Sequence, residues 1–356
     1  MSEDMRTDRK KIGYAVLGLG IGMAHADAAY ASSQADLVAV CDIDTARLAT
    51  AAEAYPGVTL YTDFEDLLRD ERVEIISVCL PSGMHADYAV RCMEAGKHVL
   101  VEKPLDITPE RAILIEQARR RTGRTCGVVH QNRFNADMYP IREALESGRL
   151  GRLILGTFAV KWYRGQAYYD RGGWRGTWDM DGGGSLMNQS IHTVDLMQWL
   201  MGEVESVTST MSIADHRIET EDVTASLIRF KSGATATFVS TTCAYPGIST
   251  EICLYGTGGS VEADADCLKT WKLKDSPDED EEEAAMLARF GGGNAAAVAQ
   301  EPTRLFGHAH VVEDMISAVR DGRDPEVLPS EAIKSVRIVD AVYRSAKTGK
   351  TIRLTD

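Results

Sequence analysis

Hydrophobic positions in the first third of the chain fall in short unbroken runs: "GYAVLGL", "DLVAVCD", "VTLYT", "EIISVCL", "KHVLVEK" and "RTCGVVHQ". A strand with no polar face has to be covered on both sides, as a parallel strand in an α/β layer is. Helical patterns stand between these runs, among them "DTARLATAAEAY" and "HADYAVRCMEAG", the second closed by Gly96 as a C-terminal cap. "TPERAILIEQARRR" opens with Thr108 as N-cap and Pro109 at the first helical position. The alternation predicts a doubly wound, parallel Rossmann sheet over residues 1–134.

The period changes near residue 153. "LILGTFAVKWY", "VESVTSTMSI", "VTASLIRF", "ATATFVSTT", "STEICLYG" and "CLKTWKLK" follow one another with turn residues such as "KSGA" and "GTGG" between several of them, and no helices alternate with them. That predicts a second α/β domain, residues 135–356, built on an open and mostly antiparallel sheet. "HVVEDMISAVRDG" and "SEAIKSVRIVDAVYRSAKTG" read as two amphipathic helices in the tail. The charge run "DSPDEDEEEAA", 275–285, reads as a solvated, mobile loop.

Composition agrees with two soluble domains, at 356 residues and 44% hydrophobic content. The formal charge of −14 argues against a nucleic acid partner or an anionic membrane surface, so an anionic ligand needs local positive charge. "MSEDMRTDRKK" has no apolar leader region, and no apolar stretch approaches the roughly 20 residues that span a bilayer, so a cytoplasmic location is expected. The seven cysteines, Cys41, Cys79, Cys92, Cys126, Cys243, Cys253 and Cys267, form no CxxC and read as reduced, largely core residues.

Four stretches carry candidate chemistry. "VLGLGIGMAHA" follows the first strand and enters the first helix, with Gly18 and Gly20 in the first two positions of a dinucleotide turn. Its third position holds Met23, and Gly22 lies one residue early. Gly18, Gly20, Ile21 and Gly22 are the expected pyrophosphate cradle, and Asp42, about 20 residues on, the partner of the adenosine ribose. A 2′-phosphate near Asp42 would meet a repulsion of roughly 4 kcal/mol at ~4 Å, which favours NAD over NADP.

"VLVEKPL" brings Glu102 and Lys103 to a strand tip, where ligands of open parallel sheets bind, and Pro104 keeps Lys103 extended. A lysine in a partly dry cleft is an acid/base candidate. "DGGGSLMNQSIHTVDLMQWLMG" reads as a helix capped by Ser185, with Met187, Ile191, Val194 and Met201 on its apolar side and Asn188, His192 and Asp195 on one polar stripe. His192 suits proton exchange at neutral pH, and the stripe offers no second metal ligand, so no metal is expected. "KWYRGQAYYDRGGWRGTW" gathers Trp162, Trp174 and Trp178 with Lys161, Arg164, Arg171 and Arg175. Flat rings against sugar C–H faces, with guanidinium forks for hydroxyls, carboxylates or phosphates, point to a carbohydrate or sugar nucleotide.

Taken together, "GLGIGMAHA", "CDID", "LPSGMHADYA", "AGKHVLVEKPL", "HQNRF", "GGGSLMNQSIHTVDLMQWLMG" and "GHAHVVEDMISAV" resemble the glucose-fructose oxidoreductase / inositol dehydrogenase (Gfo/Idh/MocA) family over nearly the whole chain. The resemblance implies an N-terminal Rossmann domain, a C-terminal α/β domain with an open sheet, and a homodimer or homotetramer formed through that sheet. It implies hydride transfer between nicotinamide and an alcohol carbon of a sugar, glycoside, sugar nucleotide or cyclitol. Lys103 matches the catalytic lysine and His192 the proton-exchanging histidine, while Asn188 stands where many members carry aspartate. Pro81, His85, Glu102 and Lys103 match positions near the dinucleotide, and Arg133 one that lines the substrate cleft beside Trp162, Arg164, Tyr169, Trp174, Arg175, Asn188 and His192. "NQSIH" with "WRGTW" looks like the subgroup that oxidises carbon 3 of a pyranoside. Redox-neutral elimination or hydrolysis through a 3-keto intermediate, and a non-catalytic dinucleotide-sensing subunit, are the alternatives.

Overall fold

The computed structural model describes residues 10–294 and 305–354; most of the N-terminal segment read above for a leader lies outside them. No helix among the described residues is long and apolar enough to cross a membrane.

Six strands form one sheet: β1 (Ile12–Leu17), β2 (Ala35–Cys41), β3 (Thr59–Tyr61), β4 (Ile75–Val78), β5 (His98–Val101) and β6 (Cys126–Val128). All pairs are parallel, in the order β3-β2-β1-β4-β5-β6. The unbroken apolar runs are explained by burial on both faces: every residue of β1, β4 and β6 is buried. Strand order reverses between β1 and β4, which opens a crevice past their carboxyl ends. Thr108 accepts the Arg111 N–H as expected of an N-cap, and Gly96 ends its helix at φ 85°.

The second sheet has eight strands: β7 (Leu153–Lys161), β8 (Val204–Ser212), β9 (Val223–Phe230), β10 (Thr235–Thr241), β11 (Ser249–Gly256), β12 (Gly259–Asp264), β13 (Cys267–Leu273) and β14 (Ile352–Arg353). Their order is β13-β12-β11-β7-β10-β9-β8-β14, antiparallel except for the β7/β10 pair. β12 has no counterpart in the sequence reading, because its run is short and half of it is polar. Burial alternates residue by residue along β9 and β12, so one face is covered and the other open. Helices Ile191–Met201 and Pro329–Thr348 cover the inner face, while Ile154, Leu155 and Leu227 remain exposed outside it.

The acidic run is not a loop. Asp278 caps a helix, Glu279–Phe290, accepting the N–H groups of Asp280 and Glu281. Four acids in its first turn, Glu279 to Glu282, complement the helix dipole. Arg149 clasps Asp275 and Glu282, and Lys272 reaches Asp280 and Glu283, so the charges are anchored to β13 and its neighbourhood. A cap followed by first-turn acids was the signal that the charge count concealed.

The two sheets are stitched by the tail and by one buried ion pair. Helix Gly307–Asp321 packs on Gly22–Ala31 of the Rossmann layer, and Pro329–Thr348 touches both Pro109–Thr122 and β8. Arg133, just past β6, donates through Nε and Nη2 to the two Asp195 oxygens at 2.6 and 2.7 Å, and Ser335 adds a bond of 3.2 Å. Burial alone would raise the Asp195 carboxyl, but His130 and Arg133 more than offset it and hold it down at about 2.

Removing Asp195 leaves a buried guanidinium without its counter-charge. Asp195→Ala is expected to lose about 3–5 kcal/mol in urea unfolding at neutral pH. Because the folded carboxyl titrates below its unfolded value, this contribution is complete above pH ~4 and disappears as pH falls toward ~2. An equal unfolding midpoint for variant and parent at pH 7 would contradict the assignment.

Candidate active site

The crevice widens into a cleft of about 900 Å³ that runs between the sheets. Gly20, Ile21 and Pro81 line one end; Lys103, Asn188, Gln189 and His192 line the middle; Trp162, Arg164, Tyr168, Arg171, Trp174 and Arg175 line the far wall.

The glycine turn is built by close approach. Gly18 has φ 89°, and a Cβ there would stand 2.5 Å from the Cys79 carbonyl oxygen. Gly22 performs the packing task of a third glycine one position early: its Cβ would lie 2.7 Å from Val16 Cγ1 and 3.2 Å from Cys79 Cβ. A Cβ on Gly20 would touch only the far end of Arg47, at 3.9 Å, so this glycine faces open cleft. The helix it enters, Gly22–Ala31, has no side-chain cap, leaving its first N–H groups for an anionic ligand. Asp42 Oδ2 accepts the Leu19 N–H at 2.7 Å, which ties the turn to the tip of β2. A dinucleotide pyrophosphate fits this uncapped, glycine-rich turn.

Glu102 is buried beneath the cleft floor. His25 Nε2 lies 3.0 Å and His308 Nε2 3.3 Å from Glu102 Oε1, and Oε2 accepts the Lys103 N–H. Burial would raise this carboxyl, but the two histidines hold it well below the usual range. Glu102 therefore fixes the backbone that aims Lys103. The Lys103–Pro104 peptide is cis. Lys103 Nζ donates to the Asn188 carbonyl oxygen at 3.0 Å, joining the tip of β5 to the histidine-bearing segment. Burial lowers its ammonium pKa, against the pull of Glu102 and Asp181.

The histidine-bearing segment departs from expectation at its start. Ser185 caps nothing; its Oγ bonds Ser240 Oγ, and the chain opens as a wide π-type turn, Ser185–Gln189, before the α-helix Ile191–Met201. Glu221 takes the capping part: its carboxylate accepts the Gly184 and Leu186 N–H groups at 2.7 Å each. The glycines are needed here because a Cβ on Gly183 would fall 2.0 Å from Tyr343 Oη and one on Gly184 1.9 Å from the Glu221 carbonyl oxygen. His192 Nε2 meets the Gln131 side-chain amide at 3.2 Å, while Nδ1 has no partner among the described residues. Burial, then the nearby Lys103 charge, holds His192 well below its ordinary pKa, so it is neutral at pH 7.

Three expected site residues stand elsewhere. Arg133 does not line the cleft, because Asp195 holds it behind the helix. Tyr169 is buried with its hydroxyl on Thr242, and its neighbour Tyr168 lines the wall instead. His85 is buried between the carbonyl oxygens of Pro104 and Leu80, where it shapes the loops below the dinucleotide turn. Asp195 and Trp178 likewise lie off the cleft, the first on Arg133 and the second against Tyr343. Tyr168, one of the rings of the aromatic segment, lines it, as do Gln131 and Gln189, whose local sequence does not set them apart.

The far wall alternates cations and rings. Arg164 Cζ lies 5.1 Å from the Trp162 ring and 5.4 Å from Tyr168, and Arg175 Cζ 4.8 Å from both Tyr168 and Trp174. Arg175 Nε is buried with no partner among the described residues. In all, the lining has Arg47, Lys103, Arg164, Arg171 and Arg175 against two carboxylates, Glu102 and Asp266.

Comparison with known proteins agrees with this architecture. Residues 12–130 match the oxidoreductase family model with an NAD-binding Rossmann fold, and residues 140–262 match the GFO/IDH/MocA C-terminal domain. The Bordetella pertussis WlbA dehydrogenase, solved in complex with NADH and UDP-GlcNAcA, is 31% identical over 98% of this chain and 100% of its own, with a TM-score of 0.86. The D-glucoside 3-dehydrogenase of Escherichia coli is 30% identical over 193 residues, 53% of each chain. A dehydrogenase of Comamonas testosteroni is 31% identical over 201 residues, 56% of this chain and 50% of that one, so the chain spans about half the length of these two curated relatives. The chain belongs to the Gfo/Idh/MocA family of oxidoreductases, whose relatives here are named dehydrogenases.

Gly18→Ala should weaken NAD binding about tenfold or more in calorimetry, through a strained φ and a clash with Cys79. Gly57→Ala is the control: Gly57 also has positive φ, but nothing lies within 4 Å of its Cβ position. Equal affinity in both variants would remove Gly18 from the cofactor turn.

Proposed function

We propose that this protein is an NAD-dependent dehydrogenase of an anionic sugar, a sugar acid or a sugar nucleotide, oxidising a ring hydroxyl with carbon 3 of a pyranoside as the preferred site. The observation that carries the reading is that Lys103 and His192 line one cleft with the Gly20 end of the dinucleotide turn and a wall of arginines. Bound in that turn, the nicotinamide cofactor supplies the hydride acceptor. Neutral His192 takes the hydroxyl proton, and the Lys103 ammonium steadies the oxyanion as the carbon becomes a carbonyl. Trp162, Tyr168 and Trp174 offer faces for the sugar ring, and Arg164 and Arg175 forks for its charged group. WlbA, bound to a sugar nucleotide that carries an acid, supports this substrate class. Asp42 supports NAD over NADP, although Arg47, 3.4 Å from it, offsets part of its charge. A homo-oligomer that covers Leu155 and Leu227 on the open sheet face completes the proposal.

A panel of sugars, glycosides, cyclitols, sugar acids and sugar nucleotides, assayed with NAD and NADP for reduced nicotinamide and for product mass, tests the reading. Net NADH with one substrate is expected; product without net NADH would favour the redox-neutral route, and tight NAD binding without any product the sensing subunit. With that substrate, Lys103→Ala and His192→Ala should each lose about 10²–10⁴-fold in kcat while keeping NAD affinity. Unchanged turnover in Lys103→Ala would sink the assignment. Arg175→Ala should raise KM about tenfold or more for the anionic substrate and leave it unchanged for the matching neutral sugar.

A further inference from the structure

Asp181 lies just ahead of the glycine run and is 1% exposed. One carboxylate oxygen accepts the Gly176 N–H at 2.8 Å; the other accepts from Asn188 Nδ2 in a short contact. Asn188 Oδ1 in turn accepts from Gln189 Nε2, which also reaches the Tyr168 hydroxyl, and Gln189 Oε1 accepts from Arg164 Nε at 3.1 Å. The same Asn188 gives its backbone carbonyl to Lys103 Nζ. Asp181 thus stands one hydrogen bond behind the residue that holds the lysine, at the head of a chain that ends on the cleft wall. Asp181 does not line the cleft itself.

We propose that Asp181 is the positioning residue of Lys103: it fixes Asn188 and supplies, from behind the cleft, the negative charge that keeps the lysine in its working charge state. This rests on the reading of Lys103 given above. The groups whose charges act on Lys103 are Glu102, Asp181 and Arg164, with His130 and His192 also near. Those acting with Asp181 are Lys103, Arg175 and Tyr343. Glu102 is bonded to two histidines and to the Lys103 N–H, so of the two carboxylates Asp181 can be neutralised without disturbing the backbone that aims the lysine. Burial raises the Asp181 carboxyl to about 6, within reach of neutral pH, with Gly176, Asn188 and Lys103 opposing the rise. Its charge favours the ammonium form of Lys103, whereas burial disfavours it.

Asp181→Asn, which preserves size and the Gly176 contact but gives up both the charge and the acceptor for Asn188 Nδ2, should therefore lower the Lys103 titration midpoint by about one pH unit or more. The readout is the pH dependence of Lys103 labelling by acetic anhydride in the full chain with NAD bound, followed by peptide mass spectrometry. It needs no substrate, so it fails or succeeds apart from the assigned activity. Asp181→Glu should return the midpoint toward the parent value. Relative to the parent enzyme, the limb of the kcat profile set by Lys103 should move to lower pH by the same amount in Asp181→Asn, which a loss of packing alone would not produce. Should Asp181→Asn not fold, the reciprocal measurement decides: in Lys103→Met the Asp181 carboxyl, followed by carbon-13 NMR, should titrate higher than in the parent. An unmoved midpoint in either experiment overturns the proposal.

Discussion

The cleft depends on how firmly the His192 helix is held against the Rossmann layer, and a buried ion pair ties the two together directly. Arg133 leaves the edge of the first sheet and forks onto Asp195, one turn beyond His192, where both side chains are almost wholly buried. A charge in such a place tolerates no sliding, because each partner separated from the other would remain unsolvated. A fork bonded through two parallel hydrogen bonds also fixes direction, which a hydrophobic contact would not. The bond from Lys103 to the Asn188 carbonyl then closes the gap from the other side. One contact on the turn before the helix and one on the helix itself, either side of His192 in the chain, thus tie the histidine-bearing segment to the first domain.

Electrostatics reinforces the same division. The molecule carries −14, yet its cleft wall presents arginines stacked on rings. Stacking keeps each guanidinium extended and partly dry while its N–H edge stays available. An acidic exterior and a basic interior favour a small anion that can enter the cleft over a polyanion that must lie along the surface.

How much of this could be read in the chain follows from the range of the interactions. Strand burial, the Thr108 cap, the glycine turn and the approach of Lys103 to a strand tip are set within a few residues, and local patterns reveal them. The acidic helix 279–290 is also signalled locally, by its Asp278 cap, but its charge density masks that signal. Arg133 and Tyr169 carry the right chemistry in the right segments, and tertiary partners far along the chain, Asp195 and Thr242, take them out of the cleft. Ser185 had the residue type of a cap, yet Glu221, 36 positions later, does the capping at two N–H groups. Asp181 gives no local sign for a related reason: its meaning comes from Asn188 and Lys103, neither of which a local pattern connects to it.

Desolvation is the common influence on the three titratable groups at the centre. It pushes Lys103 and His192 toward losing a proton and Asp181 toward keeping one, so each is driven to its neutral form. Attraction between lysine and carboxylate works the other way, and repulsion between lysine and imidazole adds to the burial effect on His192. The cluster therefore has few stable charge arrangements, and the one with an ammonium, a neutral imidazole and a carboxylate satisfies the pairwise terms. Asn188, which cannot titrate, links Lys103 and Asp181 through its carbonyl and amide without adding a charge of its own. On the proposed mechanism, moving a substrate proton onto His192 is opposed by Lys103 only until the oxyanion forms beside that lysine. The positive charge created on one side would then be matched by a negative charge created on the other, so the proposed transfer adds no net charge to the cleft.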